Sequence, residues 1–216
     1  MQKFSTQYAK TIINNRIKVL FAALLLMVIS IMTISSNPLR HNNSNEMWFL
    51  PGDPNLLAFE KLQDLFGSSE YLIVGVTARD KDKDIFEYET LMMIDEISTM
   101  LEDHEIVEQV RSVSKYQRTY DKNGMVATDD LIEDFEELGD NPTIIENARE
   151  IMKGEELALD SIITSDLKHT RILARTEYRA NDNSHKIKVV NDLRNFIKEQ
   201  GYLEKGYDLK LGGVPY

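Results

Sequence analysis

Residues 71–78 read YLIVGVTA. A short, nearly continuous apolar run of this kind predicts a strand buried on both faces. Downstream, residues 86–101 place Ile94, Ile97 and Leu101 at spacings of three and four, which predicts an amphipathic helix. Residues 107–114 follow as a second, weakly patterned strand. Residues 171–178 set Ile172, Ala174, Thr176 and Tyr178 on one side and Arg171, Leu173, Arg175 and Glu177 on the other. Apart from Leu173, that is a strand with one polar face. Ser184 is placed to cap a helix in which Ile187, Val190, Leu193 and Ile197 form one apolar stripe and Gly201 supplies the stop. Tyr207, Leu209 and Leu211 then alternate with Asp208 and Lys210 as a last strand before Gly212-Gly213.

In chain order these elements spell strand, helix, strand, insertion, strand, helix, strand. The pattern is an α+β fold of the ferredoxin-like, split βαβ kind, with two helices covering one face of a four-stranded sheet. The insertion, about residues 115–170, is too long for a bare loop. It is expected to hold one acidic helix from near Thr128 to Gly139 and another from Asn141-Pro142 to Gly154. On the other side of the opening strand, Asp53-Pro54 signals a helix start, the Asp side chain accepting from orphan amides and Pro preset at the first helical position. Phe59, Leu62 and Phe66 are expected on one face of that helix, and Gly67 ends it. Residues 37–47, NPLRHNNSNEM, form a polar linker before it.

Further toward the N-terminus, residues 19–34 read VLFAALLLMVISIMTI, without a charge. Extended to residues 17–36, a helix of this length spans roughly 30 Å, the thickness of a hydrocarbon core. Lys18 then lies near the interface, where its charge reaches water. A cleaved signal peptide is the rival reading, but the apolar run exceeds the usual length of about 7 to 15 residues and lacks a small-residue cleavage site. Residues 1–40 hold five basic residues (Lys3, Lys10, Arg16, Lys18, Arg40) and no acid. Most of these precede the span, so residues 1–16 are expected in the cytoplasm, 17–36 in the cytoplasmic (inner) membrane and 37–216 outside it.

The whole chain, 216 residues with 25 Lys+Arg and 36 Asp+Glu, carries a formal net charge of -11. Setting aside the basic head leaves 20 basic and 36 acidic residues in 41–216, a balance of -16. So acidic a body repels phosphates, and no nucleic-acid partner is expected. There is no cysteine, which removes disulfides, Cys-ligated metals and thiol nucleophiles.

Several local stretches resemble the first porter domain of RND-superfamily exporters, particularly the MMPL-like branch. Residues 50–76, LPGDPNLLAFEKLQDLFGSSEYLIVGV, resemble that domain's start. VEQVRSVSKY (107–116) and DLKHTRILARTEY (166–178) resemble its second strand and the strand after its inserted region. LGGVPY (211–216) resembles the Gly-x-Pro element leading into the second transmembrane helix. The resemblance covers the chain from Ile17 onward. It implies the N-terminal portion of a proton-motive-force-driven exporter of hydrophobic or amphiphilic substrates, including lipids. The lipid bilayer and the remaining helices and second porter domain of the transporter would be its partners. The family's proton-relay carboxylates sit on later helices, whereas residues 17–36 contain no acid. A proton path needs titratable groups inside the membrane, so this portion is not expected to transport alone.

Other chemistry has plainer readings. His41, His104, His169 and His185 are dispersed and form no H-E-x-x-H pair. The run from Thr119 to Asp130 resembles a degraded calcium loop with Asp121, Asn123 and Gly124 in suitable places, although a turn on Asn123-Gly124 explains it better. Asp129, Asp130, Glu133, Asp134, Glu136, Glu137 and Asp140 would attract cations or form a solvated helix face, the commoner case. Met92, Met93 and Met100 would line a hydrophobic groove or, more commonly, pack in the core. No G-x-S-x-G elbow occurs, so no enzyme is expected. No catalytic, cofactor-binding or metal residue is assigned, no cofactor is expected, and substrate contacts and oligomeric state stay open. A membrane-anchored sensory ectodomain, or an anchored binding or assembly domain, is the alternative reading.

Overall fold

The computed structural model describes residues 12–36, 48–50, 52–67, 70–80, 82–139, 141–179 and 184–213. The linker at 37–47 and the final three residues of LGGVPY lie outside them, as do His41, Asp140 and the side chain of Ser184. The chain divides into two compact units, Met1–Asn43 and Ser44–Tyr216.

In the first unit, helix α1 spans Arg16–Ser36. Its mean hydropathy over Arg16–Thr33 is 2.1, so it is long and apolar enough to cross a membrane. Leu20, Leu24, Leu25, Leu26, Met27, Ile29, Ile31 and Met32 along it are exposed. The Thr33 hydroxyl donates to the Ile29 carbonyl at 2.9 Å, so it carries no unpaired donor into an apolar surrounding.

The second unit begins with α2 (Pro54–Phe66), where Asp53 accepts from the Asn55 amide at 2.8 Å and Pro54 takes the first helical position. Then come β1 (Tyr71–Thr77), α3 (Tyr88–Glu102) and β2 (Val107–Arg111). A hairpin follows, of β3 (Gln117–Lys122) and β4 (Met125–Asp130), then a 3-10 turn at Glu136–Gly139 and α4 (Pro142–Lys153). The unit finishes with β5 (His169–Thr176), α5 (Ser184–Glu199) and β6 (Asp208–Gly213). The main sheet has four strands in the order β2-β5-β1-β6, and every neighbouring pair is antiparallel. Two strand–helix–strand units, β1-α3-β2 and β5-α5-β6, are therefore interleaved, each placing one strand between the two strands of the other.

Alternation decides which face of the sheet is covered. Leu72, Val74 and Val76 on β1 and Ile172, Ala174 and Thr176 on β5 are buried. They share one core with Leu91, Ile94, Ile97 and Leu101 of α3 and Val189, Val190, Leu193 and Ile197 of α5. Each such side chain contributes about 1.5–3 kcal/mol through burial. Tyr71, Ile73 and Thr77, opposite Arg175, Leu173 and His169, lie on the second face and are only half-buried or exposed. β1 is thus not buried on both faces as its run of apolar residues predicts, because both crossover helices lie on the same side.

Four further expectations are corrected. No helix runs from Thr128 to Gly139: residues 125–130 form β4, which pairs with β3 in full register, Gln117 opposite Asp130. The turn decides this, since Asn123 and Gly124 both adopt positive φ, 59° and 81°. That is the conformation of a two-residue hairpin turn, and the Asp121 carboxylate accepts from the Gly124 amide at 2.7 Å. The inward face of α2 is Leu56 and Gln63 with Phe59 at its edge, while Leu62 and Phe66 are exposed. On α5, Ile187 is exposed and Val189 takes its place in the core. The second predicted strand is also shorter, ending at Arg111.

The insertion is held by charge as well as packing. Arg149 on α4 donates to Asp84 at 2.8 Å and to the Phe86 carbonyl at 3.0 Å. Burial opposes this guanidinium's charge, but the Asp84 and Glu146 carboxylates together outweigh it and raise its pKa.

Candidate functional site

The first cleft is built by α3 and the turn that joins α5 to β6. Along α3, Tyr88, Glu89, Met92, Met93 and Glu96 recur at spacings that put them on one side. Opposite them, the segment Gly201-Tyr202-Leu203-Glu204-Lys205-Gly206-Tyr207 folds back on itself, the Tyr207 amide donating to the Tyr202 carbonyl at 3.1 Å. Positive φ at Gly201 and Gly206, 65° and 91°, makes that reversal accessible. The result is a surface cleft of about 500 Å³ lined by these α3 residues with Arg79, Tyr202, Lys205 and Tyr207.

Its floor is aromatic and thioether. Tyr202 and Tyr207 are buried and meet edge to face at 6.2 Å between centroids, and Phe196 backs Tyr202 at 6.3 Å. Such ring pairs contribute about 0.5–1.5 kcal/mol beyond their burial. Cations stand over both rings: Arg79 lies 5.6 Å from the Tyr207 centroid and Lys205 5.4 Å from that of Tyr202. Arg79 also pairs with Glu89 at 2.8 Å, and the Tyr202 hydroxyl donates to Glu96. Burial, reinforced by the Glu96 carboxylate, pushes the Tyr202 phenol well above its usual range. Burial raises the Tyr207 phenol as well. Both rings are neutral at physiological pH, so the cleft presents an apolar, polarizable floor with charges of both signs at its rim. It suits an amphiphile or an aromatic group.

The methionines divide. Met93 is buried in the core yet reaches the cleft, Met92 is half-buried at its wall, and Met100 packs on the core away from it. The acidic cluster does not form a helix face. Asp129, Asp130, Glu133, Asp134 and Glu137 instead line a second cleft of about 600 Å³ between the hairpin and α4, over Leu131, Ile144 and Ile151. The three described histidines stay apart: His104 faces Asp192 at 3.3 Å, His169 meets Thr77 at 3.2 Å, and His185 meets the Glu177 carbonyl at 3.1 Å. No set of metal ligands comes together among the described residues. The stretch resembling a calcium loop is the β3-β4 hairpin.

Sequence reasoning missed Tyr202 and Tyr207. Their signal is the doubled Gly-Tyr at 201–202 and 206–207, two turn glycines each followed by an aromatic. It also missed Lys186, whose side chain is 1% exposed and pairs with Glu70 just before β1. Lys186 lies one turn before Val189 and Val190, on the buried side of α5. Comparison with protein-family models, with curated proteins and with solved structures finds no match.

Proposed function

We propose that this chain is the N-terminal portion of an RND/MMPL-like exporter, in which α1 anchors the chain in the membrane and the second unit is the first porter domain. The observation that carries the proposal is the interleaving of two strand–helix–strand units as β2-β5-β1-β6, the ferredoxin-like order of a split βαβ domain, behind an apolar helix of membrane-spanning length. In this reading the Tyr202–Tyr207 cleft contacts hydrophobic or amphiphilic substrates on their way through the assembled protein. Its neutral phenols and paired rim charges support passage better than capture, because no unpaired charge is needed to hold the substrate. Protons would be carried by helices beyond this portion.

The test is the coding sequence past Tyr216. The proposal expects a second apolar span at once, then further spans and a second porter half. A frame leading instead from one span into a cytoplasmic signalling module overturns it in favour of a sensory ectodomain. The same cleft would serve an anchored binding domain, which predicts that the chain by itself binds an amphiphile and that Tyr202→Ala weakens that binding.

A further inference from the structure

Helix α2 turns a largely apolar face outward. At about 100° per residue, its inward face is centred on the buried Leu56 and Gln63, with Phe59 and Glu60 half-buried on either side. The outward face runs from Leu57 through Lys61, Leu65 and Ala58 to Leu62, with Asp64 exposed at its Leu57 margin and Phe66 exposed at the other. Leu57, Leu62, Leu65 and Phe66 are 54%, 54%, 67% and 74% exposed, and Trp48 just before the helix is 83% exposed. A helix lying on a domain in water carries its charges outward. This one carries leucine and phenylalanine outward, around a lysine long enough to reach past them to a polar layer.

We propose that this face of α2, with Trp48, lies in the headgroup region of the bilayer. The proposal rests on α1 being an anchor. Seventeen residues separate Ser36 from Pro54, which at about 3.3–3.6 Å each reach no further than about 60 Å. Any membrane that α1 enters is therefore held at high effective concentration beside α2, ahead of a second copy of the chain. Tryptophan is the residue most at home at that boundary, and a lysine amid apolar neighbours is matched by lipid phosphate.

Trp48 is the chain's single tryptophan, so intrinsic fluorescence reports this surface alone. The full chain is reconstituted in phosphatidylcholine vesicles with and without phosphatidylcholine carrying a nitroxide high on its acyl chain. Anchoring is scored separately by resistance to alkaline carbonate extraction. The expected result is an extraction-resistant chain whose Trp48 emission is blue-shifted and quenched about twofold by the nitroxide lipid, with little quenching by acrylamide. The double substitution Leu62→Glu/Leu65→Glu should remove most of the lipid quenching while extraction resistance and tyrosine near-UV dichroism stay unchanged. An extraction-resistant chain whose Trp48 is quenched by acrylamide and not by the lipid overturns the proposal and leaves the anchor intact. Shielding from both quenchers overturns it in favour of a protein contact, such as a second copy. A chain extracted by carbonate overturns both the anchor and this surface.

Discussion

Glu70→Gln is the substitution whose cost the structure fixes most sharply. Lys186 is 1% exposed and Glu70 18% exposed, and the two pair between the lead into β1 and the first turn of α5. Neutralising the carboxylate leaves an ammonium buried beside an amide. Breaking a buried pair from one side costs about 3–5 kcal/mol, and the partial exposure of Glu70 puts this case near 3. For a unit of 173 residues, Ser44–Tyr216, that lowers the midpoint of thermal unfolding by roughly 6–12 °C. The double variant Glu70→Gln/Lys186→Met removes the charge as well, and a buried methionine should recover about 2 kcal/mol or more. The assay is thermal unfolding of the full chain in detergent at neutral pH, followed by near-UV dichroism of its tyrosines. The reasoning is refuted if Glu70→Gln loses under about 1 kcal/mol, or if Lys186→Met is equally costly in both backgrounds, since the penalty would then not come from an uncompensated charge.

Arg149→Met should loosen the insertion, because it leaves Asp84 and the Phe86 carbonyl without their guanidinium. A loss of about 2 kcal/mol is expected, with hydrogen exchange accelerated in α4 and little changed in β1. Burial raises the Asp95 carboxyl above its ordinary 3.8, Lys115 and Ser114 opposing it. The folded state thus holds this proton more tightly than the unfolded chain, and its contribution to stability is lost as pH rises through the raised value. Asp95→Asn should therefore gain on the parent in urea unfolding between about pH 4 and pH 7; a constant or shrinking difference contradicts this. At Gly213, with φ at 109°, an added Cβ would lie 2.0 Å from the Tyr71 carbonyl oxygen. Gly213→Ala should cost about 2 kcal/mol and expose the β1 end of the β1-β6 ladder to exchange.

Much of the second unit was legible because local and tertiary signals agree there. Asp53-Pro54 and Asn141-Pro142 both cap helices as their sequences demand, each side chain accepting an amide two residues on. The alternation of Ile172, Ala174 and Thr176 became the buried face of β5. Failures came where two signals compete. Residues 125–130, MVATDD, precede an acidic stretch that reads as helix, but their fate is set by the two-residue turn before them, whose positive φ values commit the chain to a hairpin. The run in β1 reads as buried on two sides because Ile73 is as apolar as Val74; only the handed crossover of both helices to one side separates them. The cleft was half legible. Met92 and Met93 stand out as methionines on a helix, whereas Tyr202, Tyr207 and Arg79 come together only when the α5-β6 turn closes against the end of β1.

The strand order also sets a schedule for synthesis. In the sheet β1 pairs with β5 and β6, and the register places Thr77 opposite His169, a separation of 92 residues. At about 5–20 residues per second, β1 waits roughly 5 to 20 s for its first partner. During that interval α3 and β2 have no sheet to close against. YLIVGVT is then an apolar strand with two unpaired edges, the kind of segment that recruits other chains. Its quality control falls to whatever shelters a nascent chain over that interval, and the insertion between β2 and β5 lengthens the exposure by every residue it adds.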